Sequence, residues 1–334
     1  MNIRASLFKS AFQMAKSWQN KGMEYFKVRI NAMIPEKTTT FDLYIKINNQ
    51  TILYLHAGDK LLKEKINALN AKDSGQHFFI KESDRRAFKA YVHEQMISSD
   101  LNVFEKAHIL RESSMTIVEE IFEQPDVQKA FDQSRPVIQQ FVEFMEAEPE
   151  AMGHLISLSG HDFYTYNHSL DVSIYSLGLA EAASYKGDDL EEMGVAALFH
   201  DIGKRQVSLD ILCKKGPLSD VEWVQMQKHP QFGLTILNEN KNVSDAIKAA
   251  CFEHHESFTG NGYPQQIGGE EIHPFARIVA ITDTYDAMTT QRSYNVPMTP
   301  FDAVTMMKEK LAGRYDPDFL KAMYSVLFKL KAAS

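Results

Sequence analysis

Cysteine is nearly absent: Cys213 and Cys251 are the only two among 334 residues. That excludes a disulfide framework and a cysteine zinc finger, and it suits a reducing compartment, so a cytoplasmic location is expected. Net positive charge is absent as well. With 44 acidic and 36 basic residues the chain carries −8, which gives no reason to expect general nucleic-acid binding. An anionic substrate would need local positive charge, from metals or from placed Lys and Arg. No apolar run approaches the roughly 18 residues that can cross a bilayer, so no membrane span is expected. Lys9 and Lys16 interrupt the apolar positions near the start, so no secretory leader is expected there. Internal repeats and low-complexity tracts are also missing.

What is present is the make-up of a globular protein, 44% hydrophobic and 24% charged, long enough for one large or two ordinary domains. Residues 1–20 place Ile3, Leu7, Ala11, Met14 and Trp18 at helical spacing, a helix packed on its own domain or lying on a membrane surface. Residues 41–47 alternate, with Phe41, Leu43, Ile45 and Ile47 on one face. A turn at Asn48-Asn49-Gln50 and a second strand to Leu55 complete a hairpin. A helix to about Leu69, a strand over 77–80 and a helix over 82–97 follow. From Leu101 strand signals nearly vanish. Amphipathic helices are expected at about 101–123, 126–147, 163–185, 188–200, 219–228, 231–238, 243–255, 274–290, 299–311 and 316–331. The expected fold is therefore a small α+β N-terminal domain over 1–99, then an all-α helical bundle over 100–334. The helices at 101–147 would either form the stem of a homodimer or pack within the domain.

Set into these helices are His168, His200-Asp201, His229, His254-His255 and Asp283, with Asp286 three residues later on the same side of its helix. Each sits at or near the end of an apolar segment. Burying such groups without partners costs a few kcal/mol apiece, and a shared metal centre would satisfy them together. Imidazole plus carboxylate suits iron, manganese or zinc and not calcium. A lone buried His or Asp is more often a satisfied core residue; seven spaced in this way reverse the odds. By contrast His56, His77, His93, His108, His154 and His161 match no ligand position, and His273-Pro274 reads as a helix cap. Cys251, three residues before His254, is an ordinary core cysteine with a small chance of lining the site.

His200-Asp201 with Gly203-Lys204, His229-Pro230, His254-His255-Glu256, Gly262-Tyr263-Pro264 and Asp283-x-x-Asp286-Ala287 resemble, in this order, the HD-GYP family within the HD superfamily of metal phosphohydrolases. Tyr164-x-x-x-His168-Ser169, Gly233 and Arg292-Ser293-Tyr294 extend the match, which covers roughly residues 100–334. The first hundred residues lie outside it and look like a variable regulatory or sensory module. The resemblance implies a bacterial second-messenger enzyme with two divalent metal ions, iron or manganese in the main, with zinc compatible. His168, His200, Asp201 and Asp283 would hold one. Asp201 would bridge to the other, held by His229, His254 and His255. Some members hold a third metal through a glutamate where this chain has Tyr164, so two metals are expected. A bridging hydroxide would open a cyclic dinucleotide, most often cyclic di-GMP to linear pGpG and sometimes on to GMP. Lys204 would contact a non-bridging phosphate oxygen or stabilise developing charge, Arg292 would hold a phosphate, and Tyr294 of the same element would bind substrate. Asp286 would orient the nucleophile or accept its proton, or form an ion pair that positions a basic side chain. Gly262 allows close backbone approach to substrate, and Tyr263 would pack near a base or support its loop. That loop is also linked in the family to diguanylate cyclase domains as partners. Ser257, Thr259 and Asn295 depart from the family pattern. They leave open a phosphodiesterase preferring cyclic GMP-AMP, or a metal-loaded, weakly active receptor.

Overall fold

The computed structural model describes residues 25–47, 50–70, 78–124, 126–159, 165–214, 216–291 and 296–333. The helix expected over residues 1–20, together with His77, His161, Tyr164, Arg292, Tyr294 and Asn295, lies outside the described residues. The chain forms two units, Met1–Glu119 and Glu120–Ser334.

The first unit contains β1 (Tyr25–Val28), β2 (Leu43–Ile47), β3 (Gln50–Leu55), α1 (Lys63–Asn70), β4 (Phe78–Lys81), α2 (Arg85–Met96) and most of α3 (Val103–Glu123). The strands form one antiparallel sheet in the order β1-β4-β2-β3. The expected hairpin is present as β2–β3, but its alternation is broken: Tyr44 is buried and Ile47 exposed, with a register shift between Leu43 and Tyr44. β1 was not expected, because four residues with two inward side chains, Phe26 and Val28, give too short a pattern. The dividing line runs through α3, past the change of texture near residue 100, for a physical reason. Ile109 joins the core beneath the sheet. Glu119 takes Lys27 at 2.5 Å and Arg29 at 3.4 Å, and Glu112 takes Arg29 at 3.6 Å. The centre of that core is aromatic: Phe88 meets Phe26 and Phe41 edge-on, each at 5.6 Å, and Phe41 meets Tyr91 at 5.7 Å.

The second unit contains α4 (Val127–Ala147), α5 (Ala151–Ser157), α6 (Thr165–Ala182), α7 (Gly187–Phe199), α8 (Leu209–Leu212), α9 (Asp220–Met226), α10 (His229–Asn238), α11 (Asp245–Glu253), α12 (Pro274–Thr289), α13 (Pro300–Glu309) and α14 (Pro317–Ala333). No strand occurs in it among the described residues. The short helices α5 and α8 escaped the periodicity; the others fall where apolar spacing put them. α4 spends its apolar face, including Phe131, Ile138 and Phe141, inside this unit. α6 is buried on every side from Asn167 to Ala180, as expected of a helix without a polar stripe. It packs on α7 through Ser173 Oγ, which donates to Gly194 O at 2.8 Å. It packs on α12 through a 2.7 Å bond between the Ser176 and Thr282 hydroxyls and an edge-on Tyr175–Tyr285 pair. Among the described residues no helix is long and apolar enough to cross a membrane.

Phe88 is 3% exposed and touches two rings at once. Phe88→Ala should cost the first unit about 3–5 kcal/mol, read by chemical denaturation of the full chain. A loss under about 1 kcal/mol would contradict this packing.

Candidate metal centre

His200 caps the C-terminus of α7, and its ring turns back on its own helix. Nδ1 lies 2.7 Å from Ala197 O. A carbonyl only accepts, so Nδ1 carries the proton and Nε2 presents a lone pair. The same device occurs twice more. His254 caps α11 with Nδ1 2.9 Å from Cys251 O, and His229 opens α10 with Nδ1 2.8 Å from Met226 O. In each case the acceptor is the carbonyl three residues back, at a helix end where carbonyls lack helical partners.

His168, on α6, is held by carboxylates instead. Its Nδ1 lies 2.7 Å from Asp286 Oδ2, and its Nε2 lies 3.2 Å from Asp283 Oδ1 and 3.4 Å from Asp201 Oδ2. Asp283 and Asp286 are one turn apart on α12, so one helix face grips both nitrogens of one imidazole. Asp286 is fully buried, and its Oδ1 accepts from Thr290 Oγ1 at 2.9 Å. Both oxygens of Asp286 are thus engaged, one by His168 and one by Thr290. Asp286 orients His168, the pairing that fixes a metal-ligating ring.

Asp201 stands at the centre. Its Oδ2 lies 3.3 Å from His200 Nε2, and its Oδ1 lies 3.2 Å from His229 Nε2 and 3.9 Å from His254 Nε2. Lys204 Nζ forms an ion pair with Oδ2. A 3-10 turn, Ile202–Gln206, brings the lysine round, and glycine permits it. A Cβ on Gly203 would lie 1.9 Å from His229 O and 2.4 Å from Gly233 N, both backbone atoms. Cys251 lies close to Gly233. Its carbonyl, not its thiol, serves the site, and burial pushes that thiol's pKa up.

Electrostatics separate the two sides. Burial, reinforced by neighbouring imidazoles, holds His229 at about 4 and His255 at about 3, and His254 well below the usual histidine range. These rings are neutral at physiological pH, the state that binds metal. Burial also opposes charge on His168, but Asp201, Asp283 and Asp286 outweigh it and raise its pKa well above normal. Burial would raise Asp201 and Asp283; Lys204 and His200 beside the first, and His168 beside the second, hold both well below the carboxylate range.

The residues fit divalent cations. His168, His200 and Asp283 bring ligand atoms within 4.8 Å of one another, and so do His229, His254 and His255, and His200, Asp201 and His254. Buried His200 Nε2 and Asp201 Oδ1 make no hydrogen bond of proper geometry among the described residues. Unsatisfied atoms of this kind, aimed at a common point, call for a cation. Every ligand expected from the sequence therefore converges. Lys204 joins them through Asp201.

Gly262 and Tyr263 lie at the rim. Tyr263 stacks on His255, ring centres 4.8 Å apart and planes at 27°, so it supports a ligand. A Cβ on Gly262 would sit 2.3 Å from Ser257 N; the close approach is to the protein's own backbone. Two residues not expected to act here hold the arrangement. Glu256 Oε1 accepts from Gln265 N at 2.5 Å and Gln266 N at 3.1 Å, clamping the loop. Thr290, four residues after Asp286, was legible as one helical turn and was missed. Ser257 and Thr259 share a 3.0 Å hydroxyl bond, and Thr259 donates to Asn261 Oδ1 at 3.0 Å; two positions that depart from the family pattern thus form a neutral chain that braces the loop.

A helical unit with a histidine–aspartate centre of this geometry is an HD-type domain, and the HD domain family model matches residues 150–319. A cyclic di-GMP phosphodiesterase of Pseudomonas aeruginosa is 37% identical over 174 residues, 52% of this chain and 42% of that protein. The 3'3'-cGAMP-specific phosphodiesterase 3 of Vibrio cholerae is 32% identical over 184 residues, 55% of this chain and 39% of that protein. The matched stretch is thus well under two thirds of either relative. A solved structure, an HDG"Y"P protein from Bdellovibrio bacteriovorus, has the same fold: TM-score 0.72 at 20% identity, over 91% of this chain and all of that one. The chain belongs to the HD domain family.

Asp286→Asn should weaken metal binding about 10–100-fold, read by metal content after dialysis against graded chelator; unchanged retention would remove Asp286 from the centre. Gly203→Ala should lower both metal content and thermal stability, since its clash is with backbone that cannot swing aside. Wild-type values for both would contradict the turn described.

Proposed function

We propose that the chain hydrolyses a cyclic dinucleotide, with cyclic di-GMP the first candidate. The observation that carries this reading is the pair of ligand sets, His168/His200/Asp283 and His229/His254/His255, meeting at Asp201. The names of its relatives supply the substrate class. Two cations, iron or manganese, would supply Lewis acidity and lower the pKa of bound water. His168, His200 and Asp283 would hold one, and His229, His254 and His255 the other, with Asp201 shared.

The remaining steps belong to side chains. Asp286 keeps His168 in the ligating orientation. Lys204, on a flexible stem at the edge of the centre, meets a non-bridging phosphate oxygen and offsets charge developing on it. Arg292 holds a phosphate, as the family pattern suggests. Residues 1–99 form a module that regulates this activity, and the loop at Gly262-Tyr263 offers a contact for diguanylate cyclase domains. Relatives named for 3'3'-cGAMP favour that dinucleotide as the second substrate to test.

Anaerobically purified protein loaded with Fe(II) or Mn(II) should convert cyclic di-GMP to a linear product. The His200→Ala/Asp201→Ala variant should yield none and should retain little metal. Two bound metals with no turnover of either cyclic di-GMP or 3'3'-cGAMP would overturn the enzymatic reading in favour of a receptor.

A further inference from the structure

Trp223 is one of two tryptophans in the chain and belongs to none of the motifs above. It lies on α9, and its side chain is half exposed, at 47%. An exposed indole, here beside the exposed Val221 and Val224, is an unfavourable use of the largest apolar side chain, so its surroundings matter. Its ring meets Tyr263 edge-on, centres 6.5 Å apart at 79°. Tyr263 in turn stacks on the metal-ligand candidate His255. An unbroken aromatic series, His255–Tyr263–Trp223, therefore leads from the metal centre to solvent.

The position of Trp223 is fixed from both ends of its short helix. Ser219 and Glu222 form a reciprocal capping box at the start, and Lys214 pairs with Glu222. At the end, Met226 O accepts the Nδ1 proton of His229. The helix that carries the indole is thus tied to a ligand of the centre. Tyr263 has one face taken by His255, whereas Trp223 offers an accessible ring beside it.

We propose that Trp223 is the platform on which a base of the cyclic dinucleotide stacks, making it a substrate-binding residue of the proposed reaction. This rests on the hydrolytic reading above. Phosphate binds at the metal centre and Lys204, and the adjoining nucleoside extends along the aromatic series to the indole. Stacking of this kind tolerates any base, since each has a π-face.

The test uses the full metal-loaded chain and its Trp223→Ala and Trp223→Phe variants, with metal content and thermal melts as controls. Trp223→Ala should raise KM for cyclic di-GMP at least about five-fold with kcat little changed. Trp223→Phe should recover most of the loss. In a Trp18→Phe background, cyclic di-GMP should quench the fluorescence of Trp223, the sole remaining tryptophan. An active wild type whose Trp223→Ala variant keeps its KM, or whose indole emission ignores substrate, would overturn this inference alone. The same result alongside loss of a protein partner would assign the patch to docking instead. A wild type that hydrolyses neither cyclic di-GMP nor 3'3'-cGAMP would overturn the hydrolytic reading, and this inference with it.

Discussion

Asp201 is an ionised carboxylate with 2% exposure, and an isolated buried charge of this kind is prohibitively costly. The second unit is organised around meeting that cost. Lys204 and the imidazoles His168, His200, His229 and His254 surround the carboxylate. The cluster is ion-paired where carboxylates gather at His168 and neutral where only rings meet. That asymmetry follows from composition: α12 contributes two carboxylates beside His168, while α10 and α11 contribute imidazole alone. A cation entering the neutral side finds lone pairs ready. On the other side it competes with a proton held by three carboxylates.

Precision in such a cage comes from helix ends. A helix leaves its last carbonyls without partners, and a histidine three residues on can satisfy one with Nδ1. The bond fixes the tautomer and aims Nε2 outward in one stroke. His200, His229 and His254 all use it. Ligand direction is therefore set by rigid backbone, not by rotamer preference alone. His168, lying within α6 where carbonyls are committed to the helix, needs Asp286 for the same purpose.

This logic explains how far the sequence could be read. The long helices were legible because apolar spacing is strong. The clustering of the candidate ligands was legible because a set of histidines at the ends of apolar segments is costly to bury without partners. β1 and α5 were not legible, being too short to show a period. The extent of the first unit was not legible either. Its core recruits Ile109, and its ion pairs recruit Glu112 and Glu119, from a helix whose sequence resembles those after it. Asp283 and Asp286 read alike as sequence, one turn apart. Only three-dimensional placement shows that one faces the cage and the other sits behind His168, bonded to Thr290. Glu256 follows two candidate ligands in sequence, and its carboxylate accepts from backbone amides of the loop.

The rim obeys a different rule from the cage. Inside, every group answers to a charge, and replacing one disturbs its neighbours through short contacts. Outside, the loop after Glu256 is braced by neutral hydroxyl bonds and by a glycine against its own backbone. A site of this build has its electrostatic attraction concentrated at the cage and at Lys204. In the proposed reaction, contact with the bases would then fall to the rings at the rim. Stacking distinguishes bases less sharply than hydrogen bonding. In the proposed reaction, a rim of this build would therefore admit bases by how they fit the ring surface, more than by reading the edge of either.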